Sequence, residues 1–198
     1  MLFSTLAVTA LSAVASAKTI RIDVGKGGLT FTPNDITAAV GDILEFHYHP
    51  KNHSVVAADF ATPCKPKAEG GFYSGFFPTS GTENSNVFQV EVNNTTPIWF
   101  YCSQPTGNHC AAGMVGAVNA NANKTLADFK ATAEKATSNE SPKSGVFGGM
   151  VMAAASSTTS GSSTTTSKAP AATTNAAAGL GVSGMAAAVV GAAVAFAL

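Results

Sequence analysis

The sequence predicts an all-β domain, a Greek-key β-sandwich, on three observations. Short apolar stretches alternate residue by residue, Gly, Pro and Asn punctuate them, and roughly seven or eight such stretches fall between Lys18 and Asn121. About 100 residues is an ordinary size for one domain.

The stretches run as follows. In Thr19–Val24, Ile20, Ile22 and Val24 alternate with Thr19, Arg21 and Asp23, the pattern of a half-buried strand. Gly25-Lys26-Gly27-Gly28 then turns the chain. Leu29–Phe31 and Asp35–Ala38 are short strand candidates around Thr32-Pro33-Asn34, and Gly41-Asp42 is a turn. Ile43–Tyr48 sets Leu44, Phe46 and Tyr48 against Ile43, Glu45 and His47. Ser54–Ala57 is a further candidate. Asn86–Val92 opposes Phe88, Val90 and Val92 to Val87, Gln89 and Glu91. Ile98–Cys102 and Val115–Val118 complete the set. Past them, Thr125 is placed to cap a short helix through Leu126, Phe129 and Ala133, with Lys130 and Glu134 four apart on one face.

The flanks differ in composition. Residues 1–17 read as a secretory signal: an apolar run from Leu2 to Val14, then Ala15-Ser16-Ala17 as a small-residue cleavage site. Residues 122–155 read as the short helix and a linker. Residues 156–175 are almost entirely Ser, Thr, Ala, Gly and Lys, too poor in large apolar groups to fold, and suit an O-glycosylated stalk. Residues 176–198 read as a glycolipid-anchor signal with Asn175 as the attachment residue. The apolar end, Met185–Leu198, is shorter than the roughly 20 residues of a spanning helix. Secretion implies a compartment where disulfides persist. A formal net charge of zero and the lack of a basic run disfavour nucleic acid as a partner.

Chemistry concentrates in Cys102–Met114. The apolar run Pro97–Tyr101 leads into Cys102, His109 follows on a loop, and Met114 opens the next strand. A thiolate, an imidazole and a thioether on one connection supply all but one of the ligands of a blue-copper centre, in which two His and one Cys make a plane and Met is a long axial ligand. His53, in Asn52-His53-Ser54-Val55, is the candidate for the remaining imidazole. His47 and His49, two apart on one strand face, are its rivals and read as surface or site-border residues.

Asn-His-Ser-Val, a later Cys, then Tyr-Cys…His-Cys-Ala-Ala-Gly-Met resembles the phytocyanin-like cupredoxins. It is most similar to fungal GPI-anchored, serine-rich secreted proteins that carry one such domain. Thr32-Pro33-Asn34-Asp35-Ile36 with Gly41-Asp42 resembles that family's early strands. The resemblance covers residues 18–121 and implies a cupredoxin-like fold. It also implies one type 1 copper ion on His53, Cys102, His109 and Met114. The segment between Cys102 and His109, Ser103–Asn108, is longer than usual in that family, and Pro105 and Gly107 let it turn sharply.

Three cysteines leave one unpaired. If Cys102 takes metal, Cys64 and Cys110 remain, and the resemblance implies that bridge. A Cys102–Cys110 bridge across the loop is the alternative and would abolish the site. Asn93, Asn94 and Asn123 stand in glycosylation sequons. Asn52 begins another, expected to be unused because a glycan beside a ligand blocks access. The aromatic loop Gly70–Pro78 reads as a hydrophobic lid on the sandwich end, with a docking patch as the alternative.

The expected protein is a monomer on the outer face of the plasma membrane or in the cell wall, held by a lipid anchor. It carries single electrons to an unidentified redox partner. Copper storage or sequestration, and a structural wall glycoprotein, are the competing readings. It is not expected to be an enzyme. Its four His are too few for the added cluster of a multicopper oxidase. The expected mature start, Lys18, is not the His that a copper-brace oxygenase requires.

Overall fold

A computed structural model describes residues 16–155. Most of the signal segment, the stalk, the anchor signal and Asn175 lie outside the described residues. The strands are β1 (Thr19–Val24), β2 (Phe31–Thr32), β3 (Asp35–Ile36), β4 (Ile43–Tyr48), β5 (Asn52–His53), β6 (Val56–Ala58), β7 (Phe77–Pro78), β8 (Asn86–Glu91), β9 (Ile98–Tyr101), β10 (Val115–Val118) and β11 (Met150–Ala153). The helix α1 spans Leu126–Ala133, between β10 and β11.

One sheet has the order β11-β8-β4-β1-β2, the other β3-β10-β9-β6, and β5 pairs with β7 in a small ribbon. Both main sheets are mixed, since β1 runs parallel to β4 and β3 parallel to β10. The alternating residues face as their pattern predicts. Ile22, Val24, Leu44, Phe46, Tyr48, Phe88, Val90 and Val92 point between the sheets and are buried there with Phe31, Phe100 and Val118.

The second sheet is covered on both faces. Phe100 faces the first sheet, while Trp99 and Tyr101 face a separate cluster with Phe129 and Ala133 of α1. This explains why β9 is an uninterrupted apolar run, Ile-Trp-Phe-Tyr: a strand buried on both sides has no solvent face to alternate with. Thr125 caps α1 by accepting from the Asp128 amide at 3.1 Å. Phe129 is fully buried, 5.0 Å from the Trp99 ring, so the helix is a layer of the domain. The disulfide Cys64–Cys110 lies in the same outer cluster, and Cys102 is free. It spans 46 residues, a loop whose closure contributes about 4 kcal/mol in the chain-entropy account.

Residues 122–155 do more than link. Beyond α1, Phe147 bridges to Tyr73, and β11 joins the edge of the first sheet beside β8. Met-Val-Met-Ala has no alternation to announce a strand, because every residue of it remains exposed at the sheet edge. The 70–78 loop covers the sandwich end: Phe72 and Phe77 are buried, and Phe77 stacks on Tyr48 at 3.8 Å, while Phe76 stays exposed.

His47 and His49 depart from the surface expectation, being only 5% and 8% exposed. They lie on the outer face of the first sheet, as alternation requires, but long charged side chains cover them. Arg21 reaches Asp23 at 2.6 Å, Glu83 at 2.8 Å and His47 Nδ1 at 2.7 Å. His49 Nε2 meets Asp23 at 2.9 Å. Burial pushes the Asp23 carboxyl up, but hydrogen bonds from His49, Arg21 and Lys26 outweigh it and hold it at about 2.

Two outcomes are expected. Phe129→Ala should cost roughly 3–5 kcal/mol in urea unfolding, as for a large core side chain; a cost below about 1 kcal/mol would mean the helix packs on nothing essential. Asp23, depressed in the folded state, stabilises above its unfolded value near 3.8 and loses that contribution as pH falls through about 2. The loss of stability between pH 4 and pH 2 should therefore be smaller in Asp23→Asn than in the wild type by about 2 kcal/mol.

Candidate metal centre

Strand alternation delivers the first donor. Phe100 faces inward and Tyr101 outward, so Cys102, one step past the end of β9, faces inward at the end of the sandwich. The β9–β10 register, Tyr101 opposite Val115, sets Cys102 opposite Met114. The Cys102 amide donates to the Met114 carbonyl at 3.1 Å. Both side chains are fully buried in the inter-sheet core.

The loop between them folds on itself. Gly107 and Asn108 take positive φ, 79° and 44°, which reverses the chain within a few residues. The His109 amide donates to the Gln104 carbonyl at 3.2 Å and the Met114 amide to the His109 carbonyl at 2.9 Å. These turns absorb the length of Ser103–Asn108 and return His109 to Cys102, with His109 Nδ1 3.4 Å from Cys102 Sγ. The next residue, Cys110, faces the other way into its disulfide.

His53 arrives on β5, paired with Phe77 of β7. Its Nδ1 is 3.9 Å from Cys102 Sγ, and the two imidazole rings are 5.0 Å apart. Its Nε2 lies 3.3 Å from the Pro50 carbonyl. A carbonyl only accepts, so this bond puts the proton on Nε2 and leaves the Nδ1 lone pair facing the sulfur. Gly25 passes directly behind the ring: a Cβ there would come within 2.3 Å of Nε2. Together His53, Cys102 and His109 place one ligand atom each within 4.8 Å of one another, and all three are buried.

The site is electrically neutral as it stands. Burial pushes the Cys102 thiol up, against hydrogen bonds from Ser54 and Gln104. Burial lowers His53, and burial with the neighbouring His53 lowers His109 to about 4. Unprotonated imidazoles offer lone pairs at ordinary pH, and a cation can replace the thiol proton. Two imidazole nitrogens and a sulfur, with a buried Met on the adjacent rung, form the donor set of blue-copper centres. Ser54 adds support that sequence reading missed. Its amide donates to Cys102 Sγ at 3.4 Å, and its hydroxyl accepts from the Ser103 amide at 3.0 Å. The signal was present in Asn-His-Ser-Val, where the motif pointed to His53 and gave Ser54 no role of its own; Ser54 is fully buried.

The rival cluster has a resident cation. Asp23, His49 and Glu83 also bring ligand atoms within 4.8 Å, but the Arg21 guanidinium already bonds Asp23 and Glu83. Asn93, Asn94 and Asn123 are exposed and Asn52 is half-buried.

Comparison with known proteins gives the following likenesses. The plastocyanin-like domain family matches residues 30–114. A probable GPI-anchored cupredoxin-1 of Arthroderma benhamiae is 39% identical over 139 residues, covering 69% of this chain and 70% of that protein. An extracellular serine-rich protein of the same fungus is 34% identical over 150 residues, covering 74% of this chain and 58% of that protein. Among solved structures, auracyanin B aligns with a TM-score of 0.39 at 12% identity, over 54% of this chain and 91% of that one. A purple cupredoxin from Nitrosopumilus maritimus aligns with a TM-score of 0.37 at 17% identity, over 50% of this chain and 95% of that one. With 39% identity across 70% of a named cupredoxin, the chain belongs to the cupredoxin family.

Proposed function

We propose that this protein binds one copper ion through His53, Cys102, His109 and Met114 and carries single electrons at the cell surface. The observation that carries the reading is the convergence of the buried side chains of His53, Cys102 and His109, with both Nδ1 atoms close to Cys102 Sγ. Copper held there supplies a one-electron couple whose two oxidation states share the same ligands. The chain's own residues do the rest. The Ser54 amide stabilises negative charge on the Cys102 sulfur, and the Pro50 carbonyl fixes the tautomer of His53. The sandwich core behind Cys102 and Met114 keeps water from the sulfur side. A shallow depression lined by Gly25, Leu29, Pro50, His53, Thr106 and His109 gives a partner its approach. The donors lie beneath this open depression, which suits contact with a redox partner, and on that ground the protein is read as a carrier rather than an enzyme.

The same reading sets it outside the cell on a lipid anchor at Asn175. Support comes from the relatives, one named as GPI-anchored and one as extracellular, and from the leader and tail compositions. Among the described residues, no helix is long and apolar enough to cross a membrane.

Copper added to the purified protein should give an intense visible band, a cupric spin-resonance signal with small hyperfine splitting, and a reversible couple. Cys102→Ser should abolish the band, and His53→Ala should weaken copper binding by at least tenfold. Met114→Leu should move the potential with copper retained, since the axial bond is weak. Tight binding without a reversible couple would favour storage over electron transfer. A phosphatidylinositol-specific lipase should release the full protein from membranes; a form lacking Met185–Leu198 that still stays membrane-bound would refute the anchor signal.

A further inference from the structure

We infer that Asn139–Ser141, a segment past the helix and outside residues 30–114, is a positioning strap for the Cys102 loop. The inference rests on the copper reading for its purpose, though its geometry stands without it.

Asn139 Nδ2 donates to the Cys102 carbonyl at 3.2 Å and to the Gln104 carbonyl at 2.8 Å. One side-chain amide thus spans Ser103 and fixes the peptide planes on either side of it. The Glu140 amide donates to the Cys64 carbonyl at 2.9 Å, and the Tyr101 hydroxyl donates to the Glu140 carbonyl at 2.6 Å. Ser141 Oγ donates to Ser103 Oγ at 2.8 Å, and Ser103 Oγ lies 2.8 Å from Ser54 Oγ. Ser54 in turn contacts Cys102 Sγ through its amide. A chain of hydroxyls therefore runs from the strap to the sulfur through buried Ser103 and Ser54.

These contacts do what the β9–β10 ladder cannot. Past Cys102 the chain leaves the sheet, and its carbonyls have no strand partner. Unpaired, they would stay polar in a mostly buried place and let the loop rotate about Ser103. The strap supplies the donor that the Cys102 carbonyl lacks in the ladder and a second one, beside the His109 amide, to the Gln104 carbonyl, and the disulfide holds the Cys64 end to which Glu140 bonds. The direction in which Cys102 points is thereby set from three sides: β10, Ser54 and Asn139. Asn139-Glu140-Ser141 also spells a sequon, but the nitrogen a glycan would take is the one engaged. Asn139 and Ser141 are positioning residues: they act on the sulfur through Ser103 and the loop backbone.

The test uses the full-length secreted protein and two readouts. In the metal-free state, the rate at which a neutral disulfide reagent labels Cys102 reports loop opening. Asn139→Asp keeps the shape and removes the donors, and should raise that rate at least tenfold. The comparison is Thr125→Ala, which removes the helix cap without touching the loop, made at temperatures where the two variants are equally stable. Equal labelling rates would overturn the strap. If Asn139→Asp fails to fold, Asn139→Ser takes its place under the same criterion. In the copper-loaded state, Ser141→Ala should shift the visible band and the midpoint potential, with Ser141→Thr restoring both. A band and potential unmoved by Ser141→Ala would remove that residue's part. Faster labelling in a protein that takes no copper would uphold the strap and sink the metal reading. Normal copper spectra with unchanged labelling would do the reverse. A glycan on Asn139 in the folded protein would also overturn the strap.

Discussion

Burial of the β10–β9–β6 region on both faces is the constraint on which the rest depends. The first sheet covers the side of Phe100, and α1 with the disulfide cluster covers the side of Trp99 and Tyr101. A strand held this way cannot slip by one residue without exchanging its faces. Register then decides the chemistry: Phe100 inward makes Cys102 inward, and Tyr101 opposite Val115 makes Met114 its neighbour. The disulfide extends the same logic one residue beyond His109, since Cys110 held outward leaves His109 turned inward.

Two polar clusters show opposite solutions to burying ionisable groups. On the outer face of the first sheet, Arg21 bonds His47, Asp23 and Glu83 and Lys26 also pairs with Asp23, so the two carboxylates meet two cations within the cluster. At the sandwich end, among the described residues, no cationic side chain bonds His53, Cys102 or His109. Burial keeps the thiol protonated and the imidazoles neutral. The first cluster is matched by its own cations; the second is a group of uncharged donor atoms.

Much of this was legible in the sequence because it follows from period and order. The alternation in β1, β4 and β8 named the core face, and the Cys…His…Met order named donors that the β9–β10 connection then gathers. Thr125 announced α1 through its cap. Other parts left no local signal. β11 is exposed on both sides and so has no pattern. Asn139 and Ser141 matter only through carbonyls and hydroxyls far away in the chain, which no window of sequence contains. His47 and His49 were placed on the right face, but the reach of Arg21 and Glu83 over them is a matter of side-chain length across neighbouring elements.

The placement of β11 has a mechanical meaning. Counted back from Ala155, the edge begins with the Ala154 amide on the Ser85 carbonyl, then Ala153 opposite Asn86, and runs to Met150 opposite Gln89. The segment that touches the Cys102 loop lies further back, behind Gly148, Phe147 and the bridge to Tyr73. Opening that begins at this edge must therefore undo β11 and the Tyr73–Phe147 bridge before it reaches the segment around Asn139.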